Sequence, residues 1–277
     1  MNIEDYSCKN IKQRENSPLL PTNIRGLIVG KSNCGKTTLL LNLLLQPEWL
    51  DYNHLLIFGN SLHQQEYKIL KKGFEEGLSK RQISNLFRQQ DLLKESVNVS
   101  PLQAINQYTG VKEGGVVANF YEDSSQIPDP RELNPSLKNL LILDDSFLGR
   151  QNKAEAYYTR GRHNSCDTLY ISQNYFRLPR QTIRENSNLI ILFPQDVKNL
   201  NHIHTDHFST DISLSEFKDF CKKVWKEKHN FVTIDLTSPV WNGKYRRNLD
   251  CFYLPADDDA RVIPSLDDEQ ATTTCHL

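Results

Sequence analysis

Short apolar runs alternate with longer polar and amphipathic segments along most of the chain. Five runs of four or five residues are almost entirely apolar: 26–29, 55–58, 140–143, 168–171 and 189–193. Strands that are buried on both faces and separated by helices are typical of a parallel sheet with helices on each side. The pattern therefore predicts an α/β fold with a mostly parallel sheet.

The remaining segments complete this picture. Apolar residues at helical spacing predict two or three helices within 61–107, one over 154–162 and one over 213–227. Further strands are expected at 116–121, 231–236 and 245–254. The predicted organisation is a polar, flexible arm at 1–23, one domain over 24–255, and an acidic, disordered tail at 256–277.

The first apolar run leads directly into GKSNCGKT, residues 30–37, which matches the phosphate-loop pattern GxxxxGK[ST]. An apolar, helix-like segment follows it. The backbone N–H groups of such a loop and of the helix N-terminus converge on a polyphosphate anion. Lys36 is expected to reach the β- and γ-phosphates of ATP, and the Thr37 hydroxyl to hold Mg²⁺. The predicted nucleotide-binding residues are Gly30, Lys31, Ser32, Asn33, Cys34, Gly35, Lys36, Thr37 and Thr38.

Polar residues follow two later strands at the points where those strands end. Asp144 and Asp145 follow the run 140–143, which is the Walker B pattern. Asp144 is predicted to hold Mg²⁺ with Thr37, and Asp145 to act as general base toward the attacking water. Acidic turn residues that merely end a strand are the alternative. Gln173 ends the next strand and is a candidate sensor of the γ-phosphate.

Two groups of arginines lie near these positions in the sequence. Arg160 and Arg162 precede the strand that ends at Gln173, and one of them is a candidate to neutralise transition-state charge, in the same subunit or a neighbouring one. Arg177, Arg180 and Arg184 follow that strand. With Tyr175 and Phe176 they either line a ring pore or subunit face, or form a solvated surface helix.

Two further clusters contain side chains that are candidates for ligand binding. His202, His204 and His207 lie with Asp206 in NHIHTDH, which is read as a loop that either binds zinc or is simply solvated. The pair at 246–247 is the one short basic segment that suggests DNA contact.

Composition limits the function classes. Thirty-three Lys and Arg balance 34 Asp and Glu, so no global basic field marks a nucleic-acid-binding protein. No apolar run is long enough for a membrane span, and no membrane partner is expected. The six scattered cysteines predict free thiols in a reducing compartment, the cytoplasm or nucleus.

Four spaced segments together resemble the poxvirus-type DNA-packaging ATPases of the FtsK-HerA class, which occur in large DNA viruses, virophages and Polinton (Maverick) elements. They are GLIVGKSNCGKTTLLLNLL, NLLILDD, TRGRHNSCDTLYISQNYFRLP and NSNLIILFP, within about 24–236. The resemblance implies a P-loop fold of the RecA-like (ASCE) type and an ATP-driven motor that packages double-stranded DNA.

The resemblance also assigns partners and roles. It implies a homo-oligomeric ring, a capsid or portal protein as partner, and association with a virion. By the same resemblance Gln173 is the sensor, and Arg162 or Arg160 is supplied to a neighbour's site. The pair Asp144-Asp145 departs from the more common Asp-Glu.

Two other functions fit the same motifs. A nucleotide-dependent switch or assembly factor needs the phosphate loop but no well-placed base. A small-molecule kinase needs an arginine-rich lid, which the sequence does not delimit. A GTPase is disfavoured because no NKxD-like motif is present.

Overall fold

The computed structural model describes residues 15–93, 102, 105, 115–144 and 152–255. Nine strands of this part of the chain form one sheet, in the order β3-β2-β4-β5-β1-β6-β7-β8-β9. The strands are β1 Arg25–Val29, β2 His54–Gly59, β3 Val117–Tyr121, β4 Asn139–Asp144, β5 Cys166–Ser172, β6 Leu189–Leu192, β7 Val232–Asp235, β8 Tyr245–Arg247 and β9 Cys251–Tyr253.

The strands from β3 to β6 are parallel, and β7, β8 and β9 extend the sheet in antiparallel fashion. β5 lies between β1, which leads into the phosphate loop, and β4, which ends at Asp144. This inserted strand is the arrangement of RecA-like P-loop folds. The predicted α/β class with a mostly parallel sheet is confirmed.

Helices cover both faces of the sheet, and each face has its own apolar core. The described α-helices are α1 Lys36–Leu45, α2 Gln65–Glu75, α3 Lys80–Leu93, α4 Asn152–Arg160, α5 Val197–His207 and α6 Leu214–Val224. Residues of α1, α2 and α3 form one core with alternate residues of the central strands, and residues of α4, α5 and α6 form the other. The apolar strands are therefore buried from both sides, as their composition predicted.

The prediction of a loop over NHIHTDH is wrong, because these residues belong to α5. The Asp196 carboxylate caps this helix by accepting a hydrogen bond from the Asn199 backbone N–H at 2.8 Å. Leu200 and Ile203 are buried one turn apart and fix the helix against the sheet. The polar composition of the segment concealed this two-residue apolar stripe.

The prediction of DNA contact by the pair at 246–247 is wrong for Arg246, whereas Arg247 is half-buried and its contact stays a prediction. The segment 245–254 forms the hairpin β8–β9 rather than one strand, and Arg246 is 2% exposed. Its guanidinium donates to the carbonyl oxygens of Leu19 and Leu249 and pairs with Asp235. A guanidinium held inside the protein in this way is not available to DNA.

The last part of the predicted arm, which was expected to end at residue 23, packs against the domain. The Ser17 backbone N–H donates to the Trp49 carbonyl at 2.9 Å, and the Asn16 side chain donates to the buried Asp167 carboxylate. Leu20 belongs to the core on the α1 side. Residues 1–14 and 256–277 lie outside the described residues, so the predictions of a flexible arm and an acidic tail stay predictions there.

Two further expectations concern the cysteines and the membrane. Cys34 and Cys221 carry free thiols, as predicted, whereas Cys251 is disulfide-bonded. Among the described helices, none combines the length and the apolar composition that crossing a membrane requires.

Candidate functional site

The phosphate loop connects the end of β1 to the first turn of α1. Gly35 caps the helix in a left-handed conformation with φ of 108°, which favours glycine. A Cβ atom at Gly30 would lie 2.5 Å from the Cys34 sulfur and 2.7 Å from Cβ of Phe193. The first turn of α1 contains no acidic residue, and Gly35 provides no side-chain cap. The N–H groups at this helix N-terminus therefore have no acidic or capping side chain from the helix itself, and an anion at the loop would be stabilised by them.

Lys36 folds back over the loop that precedes it. Its ammonium group donates to the carbonyl oxygens of Gly30 at 2.6 Å and Lys31 at 2.8 Å. The side chain of Lys31 itself is exposed, so Lys31 contributes its backbone to this arrangement. Burial raises the pKa of the Cys34 thiol, which makes this side chain a neutral filler under the loop.

One cavity of about 470 Å³ brings the predicted residues together. Its lining includes both the phosphate loop and the ends of β4 and β5, at the carboxyl edge of the parallel strands, where ligands bind in folds of this type. The predicted residues that line it are Ser32, Asn33, Gly35, Lys36, Thr37, Thr38, Asp144 and Gln173. The oxygens of Thr37 and Asp144 thus share a cavity, and hydroxyl and carboxylate oxygens are ligands that Mg²⁺ accepts.

Asp144 is held in place by a residue that sequence reasoning missed. The Tyr67 hydroxyl of α2 donates to Oδ2 of Asp144 at 2.5 Å, and Asp144 itself is only 7% exposed. Burial, and then the charge of Asp144, raise the pKa of the Tyr67 hydroxyl, so Tyr67 remains a donor at all working pH values. Tyr67 therefore orients the carboxylate that is predicted to bind Mg²⁺.

Removing the Tyr67 hydroxyl should weaken metal binding without unfolding the protein. We expect Tyr67→Phe to raise the Mg²⁺ concentration needed for half-maximal ATP turnover by roughly 10- to 100-fold, the usual effect of losing a partner of a metal ligand. Tyr52→Phe is a matched control, because the buried Tyr52 hydroxyl donates to the Leu44 carbonyl instead. Equal Mg²⁺ requirements in the two variants would show that the Tyr67–Asp144 contact does not serve a metal.

Three more residues of the same cavity were not predicted: Ser61, Gln64 and Glu66. They follow β2, the neighbour of β4 in the sheet. Glu66 in the first turn of α2 is exposed and gives the cavity a second carboxylate among the described residues. No motif in the sequence marks Glu66, which lies in the first turn of α2 and not directly after β2. Asp145, the predicted general base, lies outside the described residues.

A second, apolar cavity of about 330 Å³ adjoins the first and shares Gly35, Thr38 and His229 with it. Its floor contains Phe193 at the end of β6 and Phe231 at the start of β7, with ring centroids 5.2 Å apart. His229 has a left-handed backbone with φ of 70°, and its Nδ1 lies 3.5 Å from the Cys34 carbonyl oxygen. Aromatic faces beside a phosphate site suit a nucleobase.

Arg160 and Arg162 do not lie in these cavities. Both are exposed, in and just after the last turn of α4, and the turn Gly161–Asn164 leads into the amino end of β5. The start of β1 lies at this same edge, beside the start of β5. Burial and then the charge of Arg162 lower the pKa of Arg25 there. The length of β5, about 20 Å, separates this edge from the phosphate loop.

Among the other clusters, Tyr175 and Arg184 have structural roles, whereas Phe176, Arg177 and Arg180 are exposed and their place on a pore or subunit face stays a prediction. Arg184 is buried and pairs with Asp206 at 2.6 Å, so it does not line a pore. Tyr175 is buried and its hydroxyl donates to Asp206 at 3.0 Å. Burial lowers the pKa of His207 to about 4. No group of three or more potential metal ligands occurs in the described ranges, which include the whole NHIHTDH segment.

Strand order and phosphate loop together define the chain as an α/β P-loop protein. No protein-family model and no curated protein sequence matches the chain. Among solved structures, it is similar to B204, the DNA-packaging ATPase of Sulfolobus turreted icosahedral virus, with a TM-score of 0.46, 15% identity, and coverage of 82% of this chain and 98% of that one.

Two other solved structures are similar. The genome packaging NTPase B204 of Sulfolobus turreted icosahedral virus 2, in complex with AMPPCP, has a TM-score of 0.45 and 13% identity, over 82% of this chain and 96% of that one. VirB4 of Thermoanaerobacter pseudethanolicus has a TM-score of 0.40 and 11% identity, over 78% of this chain and 87% of that one.

Proposed function

We propose that the protein is an ATP-hydrolysing motor that translocates double-stranded DNA and packages the genome of a virus or virus-like element. The observation that carries the ATPase part is the single cavity lined by Lys36, Thr37, Asp144 and Gln173. The DNA-packaging part is supported by the four motifs that resemble the packaging ATPases. Gln173 belongs to the third of these motifs, and it follows β5, the strand that pairs with β4.

The roles of the residues follow from where they lie. The triphosphate lies against the N–H groups of residues 30–37 with Lys36 at its β- and γ-phosphates, and the adenine lies against Phe193 and Phe231. Thr37 and Asp144 would hold Mg²⁺, which neutralises phosphate charge when bound. Gln173 contacts the γ-phosphate or the attacking water, and so reports which nucleotide is present.

Two carboxylates are candidates for the general base, Asp145 from the sequence and Glu66 from the cavity lining. We assign the base to Asp145, which directly follows Asp144. Asp145→Asn is expected to lower turnover by roughly 100-fold or more while ATP still binds, and Glu66→Gln only a few-fold. Single-turnover phosphate release and ATP binding separate the two effects, and a large loss in Glu66→Gln alone would move the assignment to Glu66.

Arg160 and Arg162 act on the site of a neighbouring copy. They lie at the edge of the sheet opposite the phosphate loop, so they are too far from the nucleotide of their own subunit. This assignment requires a homo-oligomeric ring, in which one subunit's amino edge faces the next subunit's carboxyl edge. The packaging role adds a capsid or portal protein as partner and places the motor in the cytoplasm, the nucleus or a virion.

Translocation is tested by displacement of a third strand from linear double-stranded DNA. The protein and ATP should release a labelled triplex-forming oligonucleotide placed along the duplex, and Lys36→Ala should release none. If ATP is hydrolysed and the third strand remains bound, the protein is a nucleotide-dependent switch rather than a translocase.

A further inference from the structure

A groove between the start of α5 and the end of α6 is lined by lysine and apolar side chains. Its volume is about 430 Å³. Its lining includes Val197, Leu200, Lys218, Lys222, Trp225 and Lys226. Gln195 completes the lining, and no carboxylate belongs to it.

The three lysines are spaced four residues apart, which places them along one side of α6 and its continuation. In the described part of the chain, none of them is within ion-pair distance of a carboxylate. Like charges at this spacing repel each other. The dipole of α6 favours Lys222 in its last turn but does not explain the alignment of Lys218 and Lys226 with it. An anion in the groove would relieve this repulsion.

The floor of the groove is apolar and fixed. The Trp225 indole donates from Nε1 to the Leu192 carbonyl oxygen at 3.2 Å, which holds the ring at the end of β6. Val197 beside it is 61% exposed. A charged rim over an apolar floor suits a ligand that has anionic groups at regular intervals and less polar parts between them, as the phosphates and deoxyriboses of a DNA strand do.

The groove and the nucleotide site lie at the same edge of the sheet. β6 ends at the carboxyl edge, as β1 does, so the groove opens at the edge that carries the phosphate loop. Next to Val197, Lys198 lies 5.5 Å from the ring centroid of Phe176. Phe176 is 52% exposed, and its ring lies 4.7 Å from that of His202, centroid to centroid, in a tilted arrangement. Phe176 lies only three residues beyond the predicted sensor Gln173.

We infer that this α5–α6 groove binds the phosphate backbone of double-stranded DNA. The inference rests on the proposed function and adds the contact surface that a chain with no global basic field must provide locally. Because each lysine that neutralises a phosphate releases a counterion, three such contacts make an identifiable contribution to the salt dependence of binding.

The test compares two triple variants with equal charge change. Lys218→Gln/Lys222→Gln/Lys226→Gln empties the groove of charge, and Lys68→Gln/Lys71→Gln/Lys223→Gln removes three lysines that lie outside it. Fluorescence anisotropy with a labelled double-stranded oligonucleotide is measured across a salt series. The groove variant should bind roughly 10- to 100-fold more weakly, with a log–log salt slope shallower by roughly 2 to 3, and the control variant should keep the wild-type slope. ATP turnover without DNA should be unchanged in both.

Each other outcome overturns the inference in a distinguishable way. If the groove variant keeps the wild-type slope while the wild type binds DNA, the DNA surface lies elsewhere and the proposed function stands. If the groove variant loses affinity for polyglutamate but not for DNA, the groove is a docking site for an acidic protein. If the wild type binds no double-stranded DNA at any salt concentration, the proposed function fails as well.

Discussion

Lys36→Ala is expected to abolish ATP turnover, with a loss of at least about 100-fold. The Lys36 ammonium is held over the phosphate loop by the carbonyls of Gly30 and Lys31, within the cavity that contains Asp144 and Gln173. It is the cation placed to meet negative charge that develops on the γ-phosphate. Phosphate release measures turnover, and a fluorescent ATP analogue measures whether binding is lost with it.

Lys31→Ala is the matched control for this result. Lys31 lies in the same loop, but its side chain is exposed and only its carbonyl oxygen takes part in the contact with Lys36. We expect turnover within a few-fold of the wild type. Comparable losses in the two variants would mean that a general reduction of positive charge, rather than the position of Lys36, is responsible.

Asp206→Ala is expected to destabilise the protein by about 3–5 kcal/mol. The Asp206 carboxylate pairs with the buried Arg184 guanidinium at 2.6 Å and accepts from the Tyr175 hydroxyl at 3.0 Å. Removing it leaves the Arg184 charge buried without its partner. Urea unfolding followed by tryptophan fluorescence gives the free energy of unfolding.

Two comparisons isolate this cause. Glu75→Ala breaks an exposed pair with Lys71 and should cost less than about 1 kcal/mol. The double variant Arg184→Met/Asp206→Leu removes both charges and should recover most of the lost stability, because an apolar pair of similar size fills the site. A double variant as unstable as Asp206→Ala would show that the loss comes from packing rather than from an uncompensated charge.

The centre of the site could be predicted because its residues follow strands that are recognisable from composition alone. Apolar runs that end at Gly30, Asp144 and Gln173 predict a parallel sheet, and the carboxyl ends of parallel strands meet at one edge. The structure places Asp144 and Gln173 in one cavity with Lys36, as expected. The sequence pattern specified where the strands end, and their parallel arrangement in the sheet brings those ends together.

Other parts of the site depend on contacts that no local pattern encodes. His229 and Phe231 reach the phosphate loop only because β7 runs antiparallel to β6 and begins where β6 ends. Tyr67 belongs to no motif, and its hydroxyl contact with Asp144 spans 77 residues. The histidines of α5 lie in a helix and not in the predicted loop, because a cap at Asp196 and two buried residues outweigh a polar composition.

Phosphate release during a titration with double-stranded DNA tests the central claim most directly. The proposed motor should hydrolyse ATP slowly alone, and its turnover should rise with DNA concentration to a plateau. A rate that is the same with and without DNA would contradict it.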